Sequence, residues 1–416
     1  MRLAFPAGLV LALAACAAPG EAEAPRTAPA PAARADQPEP PDMSFPEWLA
    51  GFRARALAAG IAPAVLDPAL AGLSPDEKVM ELDAYQPEFT RPIWDYLDSA
   101  VSETRIANGM AKKAALRAEL DVIEARYGVD REVVLAIWGL ESAYGANMGS
   151  MSVIRSLATL AWEGRRRDFA ETQLLEALRI VQSGDQTAAG LVGSWAGAMG
   201  HTQFIPTSFA EYAVDLDGDG RRNLWAADPG DALASTANYL SRFGWRMGAP
   251  WGVEARLPAG FDYALADQSV KRPVADWRAL GVTAASGGPL PDHGEAAILL
   301  PAGANGPAFA IFKNFDVIRR YNNATSYALA VGHLSDRISG GLPFAASWPR
   351  GEPPLSRSET VEMQERLTAL GFDTKGADGI IGPNSRDAIR AFQSARGMAP
   401  DGYASAALLR RLRQDG

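Results

Sequence analysis

Apolar residues recur at helical spacing from about Met43 onward. In "FPEWLAGFRARALAAGI", Phe45, Trp48, Leu49 and Phe52 share one side of a helix and charged residues take the other. Patterns of this kind continue to about Gly244. Between Trp251 and Phe315 the texture changes to Pro, Gly and short β-prone runs such as "AAILLPAG" and "AFAIFKNF", which predicts a small β-rich insertion (251–315). Helical spacing returns in "DVIRRYNNATSYALAVGHLSDRI". The pattern predicts a mainly α (α+β) protein whose principal domain spans 43–346.

Two Pro-rich stretches divide the chain. "SWPRGEPPLSRSE" marks a linker, 347–354, before a unit of about sixty residues, 355–416. In that unit Ser356 and Glu359 form a capping box, Met363, Leu367 and Leu370 make a stripe, and Gly371 stops the helix. A second helix carries Ala388, Ile389 and Phe392, and turns fall at Asp378-Gly379 and Asp401-Gly402. A small three-helix module is predicted. At the other end, residues 1–15 combine Arg2 with an apolar run too short to span a bilayer as a helix. The run ends in "LAAC", which resembles the lipobox of bacterial lipoproteins and makes Cys16 the expected site of lipidation. Residues 16–42, rich in Ala, Pro and acid, read as a tether. Ala17 provides no Asp-type retention signal, so a periplasmic protein anchored to the outer membrane is expected.

One residue interrupts the helical pattern. "DREVVLAIWGLESAYG" places Val134, Ile137 and Trp138 on one stripe and Glu141 on or beside it, in the last turn. Asp130 is positioned as N-cap and Gly145 as the stop. Burial and the negative end of the helix dipole both disfavour an ionised carboxylate, so both would raise its pKa toward that of a general acid. Spacing alone leaves open a second reading, a surface residue at a frayed helix end.

Composition then removes alternatives. A formal net charge of −9 over 416 residues argues against nucleic acid, which calls for a basic face. The lone Cys16 and the scattered His201, His293 and His333 offer no zinc cluster.

Three stretches, "ESAYG", "GSWAGAMGHTQFIPTSFAEYAVDLDGDG" and "RRYNNATSYALAVGHLSDRI", together resemble the membrane-bound lytic transglycosylase B family over about residues 43–345. "GADGIIGPNSRDAIRAFQSARGMAPDGYAS" is similar to the peptidoglycan-binding module often appended to wall enzymes. The resemblance implies a lysozyme-like helical catalytic domain that cleaves peptidoglycan glycan strands, acts as a monomer and needs no cofactor for its chemistry. It makes Glu141 the single catalytic acid/base. Ser194 and Gln203 match residues lining the saccharide site, and Tyr321 and Asn322 the polar pair facing the reacting sugar. Tyr144 and Phe204 are weaker candidates for sugar-ring platforms. Where the family often has Tyr-Gly before the glutamine, this chain has His201-Thr202, and His201 reads better as a local hydrogen-bonding residue than as a substrate contact. A muramidase using water, or a wall-binding scaffold without activity, are the competing readings; the joint presence of Glu141, Ser194, Gln203 and Asn322 speaks against the scaffold.

"DLDGDGRRNLWAADPGD" opens like an EF-hand loop, with Asp215, Asp217 and Asp219 at positions one, three and five, Gly220 at six and the Arg221 carbonyl at seven. Position twelve is Ala226, not Glu. The resemblance allows closure by a later aspartate, Asp228 or Asp231, despite the apparent insertion of Ala226-Ala227. A structural Ca2+ is expected there; the alternative is a metal-free loop held by Asp side-chain turns.

Overall fold

A computed structural model describes residues 43–84 and 91–415; the expected leader, tether and lipidation site at Cys16 lie outside them. Helix α1 (Phe45–Ala58) starts at a reciprocal box between Ser44 and Glu47 and buries Phe45, Trp48 and Phe52, as their spacing predicts. Then come α2 (Pro63–Leu70), α3 (Glu77–Ala84), α4 (Ile93–Ala100), α5 (Glu103–Ala115), α6 (Arg117–Tyr127) and α7 (Arg131–Ser142). Strand β1 (Met151–Ser152) leads into α8 (Val153–Glu163) and α9 (Arg167–Ser183), and pairs antiparallel with β2 (Val192–Gly193). Helices α10 (Pro206–Tyr212) and α11 (Gly230–Arg242) follow.

The expected insertion is an antiparallel sheet of β3 (Gly252–Arg256), β4 (Arg272–Pro273), β5 (Thr283–Ala284), β6 (Glu295–Leu299) and β7 (Ala308–Ile311), in the order β4-β6-β7-β3-β5. Helix α12 (Val274–Ala279) seals one face through Trp277, fully buried, whose Nε1 donates to the Ala296 carbonyl at 2.9 Å. The helical run after it is two helices, α13 (Lys313–Tyr321) and α14 (Thr325–Ile338), separated at Asn322. There the Asn322 side-chain oxygen accepts from the Ala324 amide at 3.0 Å and turns the chain.

The chain divides into two compact units. The first comprises 43–84 with Met148–Glu211 and Gly218–Asn223; the second comprises 91–147, Tyr212–Asp217 and 224–415. In the first, α8 packs against α9, and Leu157, Ala161, Leu174 and Leu178 are buried. In the second, α7 packs against α5 and α14, and Val134, Ile137 and Trp138 are buried with Leu329 and Val331.

Both ends of α7 differ from expectation. Asp130 makes no side-chain cap; its carboxylate accepts from Trp245 Nε1 at 2.8 Å and the Gly248 amide at 3.0 Å. Two donors brought in from α11's far side outcompete the local amides. The helix stops at Ser142, before Gly145, because Ala143 (φ 50°) and Tyr144 (φ 59°) already take left-handed backbone.

The C-terminal module is α15 (Arg357–Ala369), α16 (Pro383–Ala395) and α17 (Ala406–Asp415), packed on Met363, Leu367, Ile389, Phe392 and Leu409. The Ser356–Glu359 capping box forms as expected. The segment before it is no free linker. Phe344 stacks on His333 at 3.8 Å, and the Ala345 and Ala346 amides donate to Glu254, each at 2.6 Å. Arg350 pairs with Asp98 of α4, and Glu352 accepts from the Ala407 amide and Arg410, both at 2.9 Å.

Candidate active site

Glu141 sits in the last turn of α7, half-buried, with its carboxylate Oε1 accepting from the buried Tyr327 hydroxyl at 2.6 Å. Burial raises its pKa to about 7, and the bond from Tyr327 offsets part of that rise. A carboxyl group with this balance stays protonated near neutrality and is still able to release its proton, which is what general acid/base work needs. Tyr96 of α4 belongs to the same environment: desolvation, then the charge of Glu141, pushes its hydroxyl up to about 12. Tyr327 keeps its proton even more firmly, chiefly through burial and then through Glu141. Tyr327 therefore acts on Glu141 as a neutral donor, and Tyr96 stands by as a neutral hydroxyl within reach of its charge.

A half-buried arginine ties the helices behind this site. Arg105 of α5 donates from Nε to the Gly139 carbonyl at 3.1 Å, two residues before Glu141, and from Nη1 to Ala100 at the end of α4 at 2.8 Å. Its own carbonyl accepts from the Tyr144 hydroxyl at 2.9 Å. Tyr144 is thus directed inward. It is only 7% exposed, edge-on to Trp138 at 5.5 Å, and lodged where Gly139 and Gly109 leave room; a Cβ on either would meet the Tyr144 hydroxyl within 2.6 Å. The expected sugar platform is a packing residue.

Tyr321 and Asn322 also lie in this unit. Tyr321 packs edge-on to Tyr239 at 5.0 Å, and Asn322 spends its oxygen on the Ala324 amide, leaving its NH2 group to donate. Ser194, Gln203 and Phe204 lie in the first unit, in a loop closed by bridges from Gly193 to Met199 and from Met199 to Phe204. Ser194 Oγ accepts from the Ala196 and Ala198 amides at 3.3 and 3.0 Å, so its hydroxyl hydrogen is left to donate. Gln203, at φ 54°, donates from Nε2 to the Met148 and Gly200 carbonyls at 3.0 and 2.9 Å, which leaves Oε1 to accept. The loop tolerates little bulk: a Cβ on Gly193 would meet the Ala198 oxygen at 2.0 Å. Phe204 is 2% exposed and His201 5%; the Phe204 ring supports the loop from inside and offers no face to a sugar.

The acidic loop changes unit within itself: Asp215, Asp217, Asp228 and Asp231 belong to the second, Asp219 and Arg221 to the first. Asp215 is half-buried, while Asp217 and Asp219 are exposed. Asp231, only 8% exposed, accepts from the Leu216 amide at 2.7 Å. Beside it, burial and then the charges of Asp228 and Asp231 raise Glu119 to about 7. Carboxyl oxygens crowded in this way are the donor set that a hard divalent cation takes.

Tyr327, Tyr96, Arg105 and Glu119 were not legible as site residues. Tyr327 stands within "YNNATSYA", so the motif held a signal; its partner lies 186 residues away. Tyr96 in "IWDYLDSA" has the spacing of any core aromatic.

The model described as "Transglycosylase SLT domain" matches residues 44–336, and a "Putative peptidoglycan binding domain" matches 356–412. The chain is 36% identical over 220 residues to membrane-bound lytic murein transglycosylase B of Escherichia coli K12, a match covering 51% of this chain and 58% of that protein. The crystal structure of SltB3 from Pseudomonas aeruginosa in complex with NAG-anhNAM-pentapeptide superposes with a TM-score of 0.86 at 54% identity, covering 89% of this chain and 99% of that one. The Escherichia coli lytic transglycosylase Slt35 in complex with calcium gives 0.61 at 30% identity, covering 70% and 92%.

Proposed function

The chain belongs to the transglycosylase SLT family, and on that premise we propose that it is a lytic transglycosylase cleaving the β-1,4 bond between N-acetylmuramic acid and N-acetylglucosamine in peptidoglycan. Glu141, protonated, gives its proton to the glycosidic oxygen as the bond to C1 breaks, and N-acetylglucosamine leaves with a free hydroxyl. The muramoyl N-acetyl group stabilises the cation at C1. The C6 hydroxyl then attacks C1, and ionised Glu141 takes its proton. The product is a 1,6-anhydromuramoyl end, no water is consumed, and Glu141 returns protonated. Ordinary glycosidases need two carboxylates; here the substrate supplies the nucleophile. Ser194 and Asn322 as donors and Gln203 as acceptor would orient the sugar's N-acetyl and hydroxyl groups.

The observation that carries this reading is Glu141 itself, desolvated to a pKa of about 7 and held by the Tyr327 hydroxyl. Mass analysis of products from purified sacculi tests it. Anhydro ends, lighter by one water than reducing ends, are expected; reducing ends would mean a muramidase.

We also propose that the C-terminal module holds the enzyme on the wall, and that Cys16 carries a lipid which anchors it to the outer membrane. Cys16→Ser is expected to release the protein from membranes, and acyl-free wild-type protein in the soluble periplasm would overturn the anchor. The acidic loop is proposed to hold structural Ca2+ through Asp215, Asp217, Asp219, the Arg221 carbonyl and Asp231. Calcium bound there would relieve repulsion among the carboxylates and stabilise the folded state by linkage. Millimolar calcium is expected to raise the melting temperature, and Asp217→Ala to abolish the rise; identical curves with calcium and with chelator would mean a metal-free loop.

A further inference from the structure

A cavity of about 400 Å3 opens within the second unit, where α4, α14 and the C-terminal module meet. Trp94 and Thr325 line it. Two residues further along the same helices, Tyr327 donates to Glu141 and Tyr96 feels its charge. Positions two apart are about 200° apart around a helix. The cavity therefore lies behind these helices, on the side away from the catalytic carboxylate.

Its polar lining sets three guanidinium groups against three carboxylates. Arg91, Arg386 and Arg390 stand with Asp267, Glu352 and Asp401. Each carboxylate is already served: Asp401 by the Ala304 amide and Gln393, both at 2.7 Å, Glu352 by the Ala407 amide and Arg410, and Asp267 by the Ser269 amide and hydroxyl at 2.8 and 2.6 Å. The guanidinium groups are engaged less closely, Arg390 and Arg386 acting on Asp267 only through their charge. Arg390 reaches only Asp387, at 3.2 Å, and its Nε is enclosed without an acceptor. Arg91 and Arg386, both exposed at the rim, make no hydrogen bond or close ion pair among the described residues. Trp94, Leu355 and Tyr403 add apolar wall.

We propose that this cavity is a second wall-binding site, which takes the carboxylate-bearing peptide stem of peptidoglycan and is completed jointly by the module and the N-terminal end of α4. The proposal rests on the wall-cleaving reading above. A stem peptide supplies what the lining lacks. Its carboxylates suit the planar, two-pronged donors of arginine, and its short apolar side chains suit Trp94 and Tyr403. The volume is within the range of small-ligand sites and admits a short peptide segment. The cavity does not depend on a swinging module, because the Asp401 bond to Ala304 and the Glu352 contacts with α17 hold its walls together. The consequence is specific: Arg91, outside the module, contributes to wall recognition as Arg386 does inside it.

Titration calorimetry of the full chain with a free pentapeptide stem, which has no glycosidic bond, tests this. Wild-type protein is expected to bind it. Arg386→Ala and Arg91→Ala should each weaken binding about tenfold, and amidating the peptide's carboxylates should weaken it at least as much. Cleavage of peptide-free glycan should be unchanged in both variants. No binding of the pentapeptide by wild-type protein that still cleaves glycan would overturn the site and leave the catalytic reading standing. Weakening by Arg386→Ala but not by Arg91→Ala would overturn the joint construction. Failure of wild-type protein to cleave peptide-free glycan would strike at the catalytic reading instead.

Discussion

A carboxyl group that holds its proton to about pH 7 serves catalysis and burdens stability at once. Unfolded, Glu141 would ionise near its ordinary value of 4.5. The folded state therefore binds the proton more tightly, and the stability this gives is present at low pH and lost as pH rises from about 4.5 through about 7. Glu141→Gln removes the titration. The variant is expected to lose a hundred- to ten-thousand-fold or more of the cleavage rate. It should also be more stable than wild type by about 1–3 kcal/mol at pH 8, with the gap closing near pH 4. Denaturant titration at the two pH values checks this, and a gap independent of pH would show that Glu141 is not desolvated. Activity itself should fall above about pH 7 as the acid ionises. Tyr327→Phe deletes the bond that favours the carboxylate, so the falling limb should move to higher pH while the maximal rate drops. A profile displaced downward, or unmoved, would mean that Tyr327 does not act on Glu141.

At the scale of elements, α7 shows what periodicity reveals and what it misses. Its apolar run and the break in it at Glu141 were legible, because a helix puts Val134, Ile137, Trp138 and Glu141 along one stripe. Its ends were not. Asp130 has the chemistry of a cap, yet Trp245 and Gly248, brought close only by folding, take its oxygens. The left-handed pair Ala143-Tyr144 is a costly conformation for non-glycine residues, and tertiary contacts supply the compensation. Tyr144 fills the slot that Gly109 and Gly139 leave open, and it donates to the carbonyl of Arg105, which in turn holds the Gly139 carbonyl. Likewise, Pro, Gly and β-prone runs announced the insertion, whereas the order β4-β6-β7-β3-β5 follows from long-range pairing that no local pattern encodes. The slot can be tested directly. A Cβ at Gly139 would stand 2.6 Å from the Tyr144 ring, so Gly139→Ala should push the ring out and cost about 1–3 kcal/mol. Because the same turn carries Glu141, kcat should fall more than KM rises. A variant destabilised by that amount with kcat intact would make Tyr144 a packing residue without influence on the acid.

For the whole molecule, the segment between the catalytic region and the C-terminal module decides how separable the two are. A Pro-rich composition predicts a linker, and composition cannot register what the segment touches. It is bound along its length: Phe344 on His333, Ala345 and Ala346 on Glu254, Trp348 at 6.4 Å from Trp94, Arg350 on Asp98 and Glu352 on α17. These contacts differ greatly in weight. Arg350 and Asp98 are both more than half exposed, and such a pair contributes at most about 1 kcal/mol. The Glu254 bonds survive in a chain ending at Ala346, since both donors remain. What such a chain loses is the cover that Trp348 gives to Trp94, which is 5% exposed in the whole protein, together with the module itself. Glu141, Tyr327, Tyr96 and Arg105 all lie outside the deleted part. The chain ending at Ala346 is therefore expected to cleave short soluble glycans at close to the normal rate, to melt a few degrees lower, roughly as the loss of about 1 kcal/mol would cause, and to be retained poorly on sacculi. Rate assays, calorimetry and co-sedimentation read these separately. Loss of cleavage in a chain that still melts cooperatively would show that the bound segment shapes the active site through α4, and that the module belongs to the catalytic body.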